Sequence, residues 1–213
     1  MPKDLVAPRR GWLVPAGLVA LGFVPLLAGA VRLAELISGA EITQANARFF
    51  ASPVPIVAHI VGVTVYSAVG AFQFAPRFRR RRRGWHRRAG RVVAGFGMVA
   101  AASGLWMTVF AELPAGDDGL LTVFRWVAGT VMLASLVLGL AAIRRRDVRR
   151  HRAWMMRAYA IGLGAGSQAV TQAVWITAAG APPDHLTRAL LLGAGWAINA
   201  AVAEVIIRRA GVA

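Results

Sequence analysis

Arg77–Arg91 reads RFRRRRRGWHRRAGR, with nine arginines, one histidine, one tryptophan and no acid. In a water-soluble chain such a run would read as a nucleic-acid patch. Here apolar segments of membrane-spanning length flank it on both sides. Insertion scales charge about 2.5–3.5 kcal/mol for each arginine placed at the centre of a bilayer. The run therefore stays on the side where it was made, and it sets the orientation of the segments around it.

Working outward, the 213 residues are 57% hydrophobic, with a mean hydropathy of +0.56. The apolar residues form blocks separated by short polar islands, which is the pattern of a membrane chain rather than of a soluble domain. Six blocks span: about Trp12–Leu33, Pro53–Pro76, Arg88–Ala111, Leu121–Ile143, Met155–Ala179 and Leu186–Ile207. Each reaches the roughly 20 residues that a bilayer requires. The first follows a basic start and contains Ala28-Gly29-Ala30, which resembles a signal peptide. Its apolar length exceeds a signal core, so it is expected to be a retained helix, kinked at Pro15 and Pro25.

Of the 25 basic residues, all but Arg32, Arg48, Arg125 and Arg188 fall on one side of these six blocks. The acids Glu35, Glu41, Glu112, Asp117, Asp118 and Asp184 fall on the other side. The positive-inside rule then puts both termini and both arginine islands, Arg77–Arg91 and Arg144–Arg157, in the cytoplasm. The expected fold is all-α: one polytopic domain over 1–213, a bundle of six transmembrane helices, N-in and C-in. Heavy Arg, Ala, Gly and Val usage points to a bacterial cytoplasmic (inner) membrane. The islands are expected to touch anionic lipid headgroups, and no nucleic-acid partner is expected.

Cysteine is absent, which excludes disulfides, thiol catalysis, iron–sulfur clusters and Cys-type zinc sites. Paired carboxylates, a Ser/His/Asp set and His-Glu-x-x-His are also missing, so hydrolase chemistry has no support. What remains is polar residues on helix faces. His59, Gly62, Tyr66, Gly70 and Gln73 form one stripe of the second block. Gly90, Ala94, Gly97, Ala101, Gly104 and Thr108 form a small-residue stripe of the third, suited to close backbone approach. In the fifth, His151, Met155, Ala158, Gly162, Ala165, Ala169 and Gln172 share a face, with Gln168 beside it. Glu204, inside the sixth block, is expected to pair with Arg208 one turn on.

Two islands match each other: His86-Arg87-x-x-Gly90-Arg91 and His151-Arg152-x-Trp154-x-x-Arg157. These motifs, with His59 and Gly70-x-Phe72-Gln73-Phe74, resemble a family of predicted bacterial membrane proteins known as domain of unknown function 2306. The resemblance covers about 53–178, a core of four helices. Val92-Val93 and Gln168-x-x-Thr171-Gln172 depart from its pattern. The resemblance implies a multi-helix membrane protein and no activity.

Three functional readings follow. In the first, Tyr66, Gln73, Gln168 and Gln172 line a bundle that binds a lipid, a quinone or another apolar molecule. In the second, His86 and His151 are axial ligands of haem b, and Arg87, Arg91, Arg152 and Arg157 hold its propionates. Gly90 and Gly97 would leave room for the macrocycle, and His59 with His185 would form an outer site. The plainer reading of His86 and His151 is interfacial anchoring. In the third, the two similar helix pairs are the repeats of a small transporter.

Overall fold

The computed structural model describes residues 10–75, 81–114, 117 and 119–211, and the side chains from residue 12 onward. Lys3, Arg9, Arg77, Arg79, Arg80 and Asp118, all used in the orientation argument, lie outside the described residues. The described residues fold into helices α1 (Arg10–Ser38), α2 (Ala47–Ala51), α3 (Pro53–Ala71), α4 (Arg83–Phe110), α5 (Leu120–Arg144), α6 (Val148–Gly162), α7 (Gly164–Ala179) and α8 (His185–Arg209). A 3₁₀ turn, Phe72–Phe74, extends α3.

Five of these are long and apolar enough to cross a membrane: α1, α3 with its 3₁₀ turn, α4, α5 and α8. Large apolar side chains such as Phe23, Val127, Val131, Leu138 and Val202 stand exposed along their outer faces. Such surface is unfavourable in water and ordinary in lipid. The helix α1 runs through both Pro15 and Pro25.

The fifth expected span is not one helix. It divides at Leu163 (φ −82°, ψ 1°) into α6, of 15 residues, and α7, of 16. At 1.5 Å per residue, each is about 23 Å long, short of a hydrocarbon core of about 30 Å. The sequence around the break is Gly162-Leu-Gly-Ala-Gly166, and its glycines make room for neighbours. A Cβ on Gly164 would collide with Trp196, and one on Gly166 with the Leu21 backbone. The single stripe expected from His151 to Gln172 is therefore cut in two.

A break between two helices frees backbone groups that apolar surroundings cannot satisfy. Asn199 of α8 supplies partners here. Its Nδ2 donates to the Ala160 carbonyl at the end of α6 (3.0 Å), and its Oδ1 accepts from Ser167 Oγ in α7 (2.6 Å). Two further bonds tie α7 to α8: Gln168 Nε2 to the Leu192 carbonyl (3.0 Å) and Thr171 Oγ1 to the Leu191 carbonyl (2.9 Å). Glu204 corrects an expectation: both carboxylate oxygens take Arg157 of α6 (2.5 and 3.0 Å), not Arg208. The planar guanidinium matches a carboxylate two-prong, and α8 packs on α6 at the needed distance.

The pair α3–α4 packs tightly along the small-residue stripe. A Cβ on Gly62 would lie 3.0 Å from the Phe96 carbonyl oxygen and the Ala100 amide nitrogen. Gly97 takes the Tyr66 ring and Gly104 takes the His59 ring. The core below contains Tyr66, Val93, Ala101, Met132, Leu136, Ala158, Tyr159 and Leu163. Its aromatic layer stacks Tyr66 on Tyr159 (5.5 Å between centroids) and Tyr159 on Phe74 (4.7 Å). The Tyr159 hydroxyl donates to the Ser67 carbonyl (2.7 Å).

Candidate functional site: a cavity with an arginine mouth

Above the aromatic layer the helices diverge around a cavity of about 760 Å³. Each helix contributes one face, read from mouth to floor. α3 gives Ile56, His59, Ile60, Val63 and Tyr66, and α5 gives Leu121, Arg125, Ala128 and Met132. α8 gives Arg188, Leu192 and Trp196, and α7 gives Gln168 and Ala165 above Gly162. The wall is mostly apolar, with His59, Tyr66 and Gln168 as its inner polar groups. That size and lining match ordinary small-molecule sites.

His59 is oriented by α4. Its Nδ1 donates to the Ala100 carbonyl (2.9 Å) and lies 3.3 Å from Ser103 Oγ, whose own proton goes to the Val99 carbonyl (2.6 Å). With the proton on Nδ1, the Nε2 lone pair is left as an acceptor. Tyr66 is 3% exposed and wedges between Gly97 and Gly162. Gln168 lines the cavity but spends its amide N–H on Leu192.

The mouth is charged. Asp117, buried on the α4–α5 connection, accepts from Arg125 Nη2 of α5 (2.6 Å) and from Arg188 Nη1 of α8. Arg125 also donates to the Asp117 carbonyl (3.2 Å), as does Thr122 Oγ1 (3.1 Å). Arg48 of α2 lines the same mouth. Its guanidinium lies 4.5 Å from the Phe49 ring centre, with that of Arg32 at 4.4 Å. Arg32 is paired with Glu35. Arg48 has no acid partner among the described residues, and its buried Nε has no hydrogen-bond acceptor there. Burial first, then Arg125, Arg32 and Arg188, hold its pKa below the ordinary arginine value.

The other expected site residues lie elsewhere. His151 Nδ1 donates to the Gly139 carbonyl of α5 (2.8 Å). His86 is half-buried on α4, and α4 and α6 are not a closely packed pair. The room expected at Gly97 is filled by Tyr66 and Leu136, while a Cβ on Gly90 would meet only Gln73, at 3.6 Å. Arg87, Arg91 and Arg152 are exposed, and Arg157 is committed to Glu204. Gln73 sits in the 3₁₀ turn below the aromatic layer, its Nε2 without an acceptor among the described residues. Neither Gln172 nor His185 lines the cavity.

The mouth residues Arg48, Arg125, Arg188 and Asp117 were not singled out as a site by sequence reasoning. A signal did exist: these three arginines, with Arg32, are the basic residues on the poor side of the charge asymmetry. Comparison with known sequences gives one family, described as predicted membrane protein (DUF2306), whose model matches residues 56–207. The match extends the resemblance through α8. No curated protein and no solved structure matches the chain.

Proposed function

The chain belongs to the DUF2306 family of predicted membrane proteins, and from that premise we propose that it is a non-catalytic binding protein for an apolar small molecule. The lipid or quinone class fits the walls. The observation that carries the reading is the cavity itself: about 760 Å³, apolar along most of its depth, with an aromatic floor. The His59 Nε2 acceptor provides one hydrogen-bonding point inside.

In this reading α6 and α7 cross together as a sixth span, and 1–213 is one polytopic domain. Both termini and both arginine islands face the bacterial cytoplasm, where the islands rest on anionic headgroups. The cavity then opens toward the outer face. One feature favours a transporter as the second reading: two half-length helices meet at the cavity floor, as discontinuous helices do in many transporters.

Trp106 and Trp196 line the cavity and report its occupancy. In nanodiscs, decylubiquinone is expected to quench their fluorescence saturably. Ala165→Phe, which puts a ring into the floor of the cavity, should weaken that binding at least tenfold. Unchanged binding in the variant, or no saturable quenching in the parent, overturns the reading.

A further inference from the structure

Resting on the binding reading above, we propose that the occupant is a single-chain amphiphile with an anionic head, carboxylate or phosphate, received at the mouth by Arg48. Three observations support this. The first is placement: short outward loops are normally poor in arginine, yet the four basic residues on that side converge here. Three of them line one mouth, and Arg32 shares the Phe49 ring with Arg48.

The second is the charge balance. Asp117 is shared between Arg125 and Arg188, and this bridge pins the α4–α5 connection to α8. Those two arginines have a structural role already. Among the described residues, the other acid lining the mouth is Glu112, which is exposed and makes no ion pair there. Arg48 is left over. An orphaned buried N–H on a guanidinium is costly, and a two-pronged oxyanion is its natural acceptor.

The third is what lies behind the mouth. A small free anion would use the arginines and leave the apolar walls of α3, α5 and α8 bare. A neutral lipid would fill the walls and leave Arg48 unmatched. A molecule with both parts satisfies both, its chain running toward Tyr66 and Met132.

The test uses the full chain in zwitterionic nanodiscs, with 12-bromododecanoic acid and its methyl ester as quenchers of Trp106 and Trp196. The acid should bind about tenfold more tightly than the ester, the ratio that one charge-assisted hydrogen-bonded contact supports. Arg48→Gln should bring the acid to the ester's affinity and leave the ester unchanged. Arg48→Lys, which keeps the charge, should retain a reduced preference and shows that the site still forms. Equal binding of acid and ester by the parent overturns the anionic head and leaves the apolar-cavity reading standing. Quenching by neither probe overturns both. Displacement of the acid by inorganic phosphate alone, at comparable concentration, would assign a free anion and overturn the proposal. So would a preference that survives Arg48→Gln.

Discussion

Asn199→Ala tests how the break at Leu163 is tolerated. The side chain satisfies two groups, the Ala160 carbonyl at 3.0 Å and the Ser167 hydroxyl at 2.6 Å. Removing it leaves both without that partner, the Ser167 side chain being buried and Ala160 half-buried. A buried group stranded in this way costs about 1–3 kcal/mol. Interhelical hydrogen bonds within membranes average nearer 0.6 kcal/mol, because the unfolded state in lipid also finds partners. Two groups on these scales give a loss of about 1–3 kcal/mol for Asn199→Ala. Asn199→Asp keeps the acceptor for Ser167 and loses the donor to Ala160, so it separates the two bonds. Ser167→Ala in the Asn199→Ala background should add little, because the two share one bond. The assay is reversible unfolding in mixed detergent micelles, followed by helix content and Trp196 fluorescence. Asn199→Ala falling within about 0.5 kcal/mol of the parent would refute the account, since mutations without a mechanism lie in that range.

The Arg157–Glu204 pair should behave as one unit. Arg157→Met and Glu204→Gln are each expected to destabilise by about 1–3 kcal/mol, between the scales of exposed and buried pairs, and the double variant by less than their sum, in a double-mutant cycle of the same unfolding assay. Both side chains are partly exposed, which places the expected effect at the low end of that range. Additive losses would show that they do not interact. The absence of native cysteine makes orientation directly measurable. A cysteine at Arg82 or Val148 should resist a membrane-impermeant thiol reagent added outside cells, and one at Asp184 should react. The reverse pattern would invert the arrangement.

The bundle was legible because lipid allows few solutions. Guanidinium runs cannot cross, and a helix of about 20 apolar residues can. The small-residue stripe was legible too, and the structure seats Tyr66 and His59 against Gly97 and Gly104 of that stripe. The break at Leu163 was not. No proline marks it, and a helical period can be counted straight through Gly162-Leu-Gly-Ala-Gly166 although the chain turns there. Its stabilising residue, Asn199, lies far away in sequence. The same limit hid the partner of Glu204: the one-turn rule names Arg208, but packing of α6 on α8 brings a better-shaped partner in Arg157. The mouth escaped for a related reason. Arg48, Asp117 with Arg125, and Arg188 come from three separate stretches, and only tertiary packing brings the three together. His86 and His151 drew attention through matching motifs, but similar neighbours along a chain do not make residues neighbours in space.

The aromatic layer of Tyr66, Tyr159 and Phe74 has an electrical consequence. In the orientation inferred above, the recess above it stays in contact with the outside medium, so that medium's potential reaches down to the tyrosines. The transmembrane voltage then drops mainly across the close-packed half between Tyr66 and the arginine islands. A unit charge crossing the full drop gains or loses about 2.3 kcal/mol per 100 mV, but a head held near Arg48 lies outside that region. Its affinity would be nearly independent of whether the cell is energised.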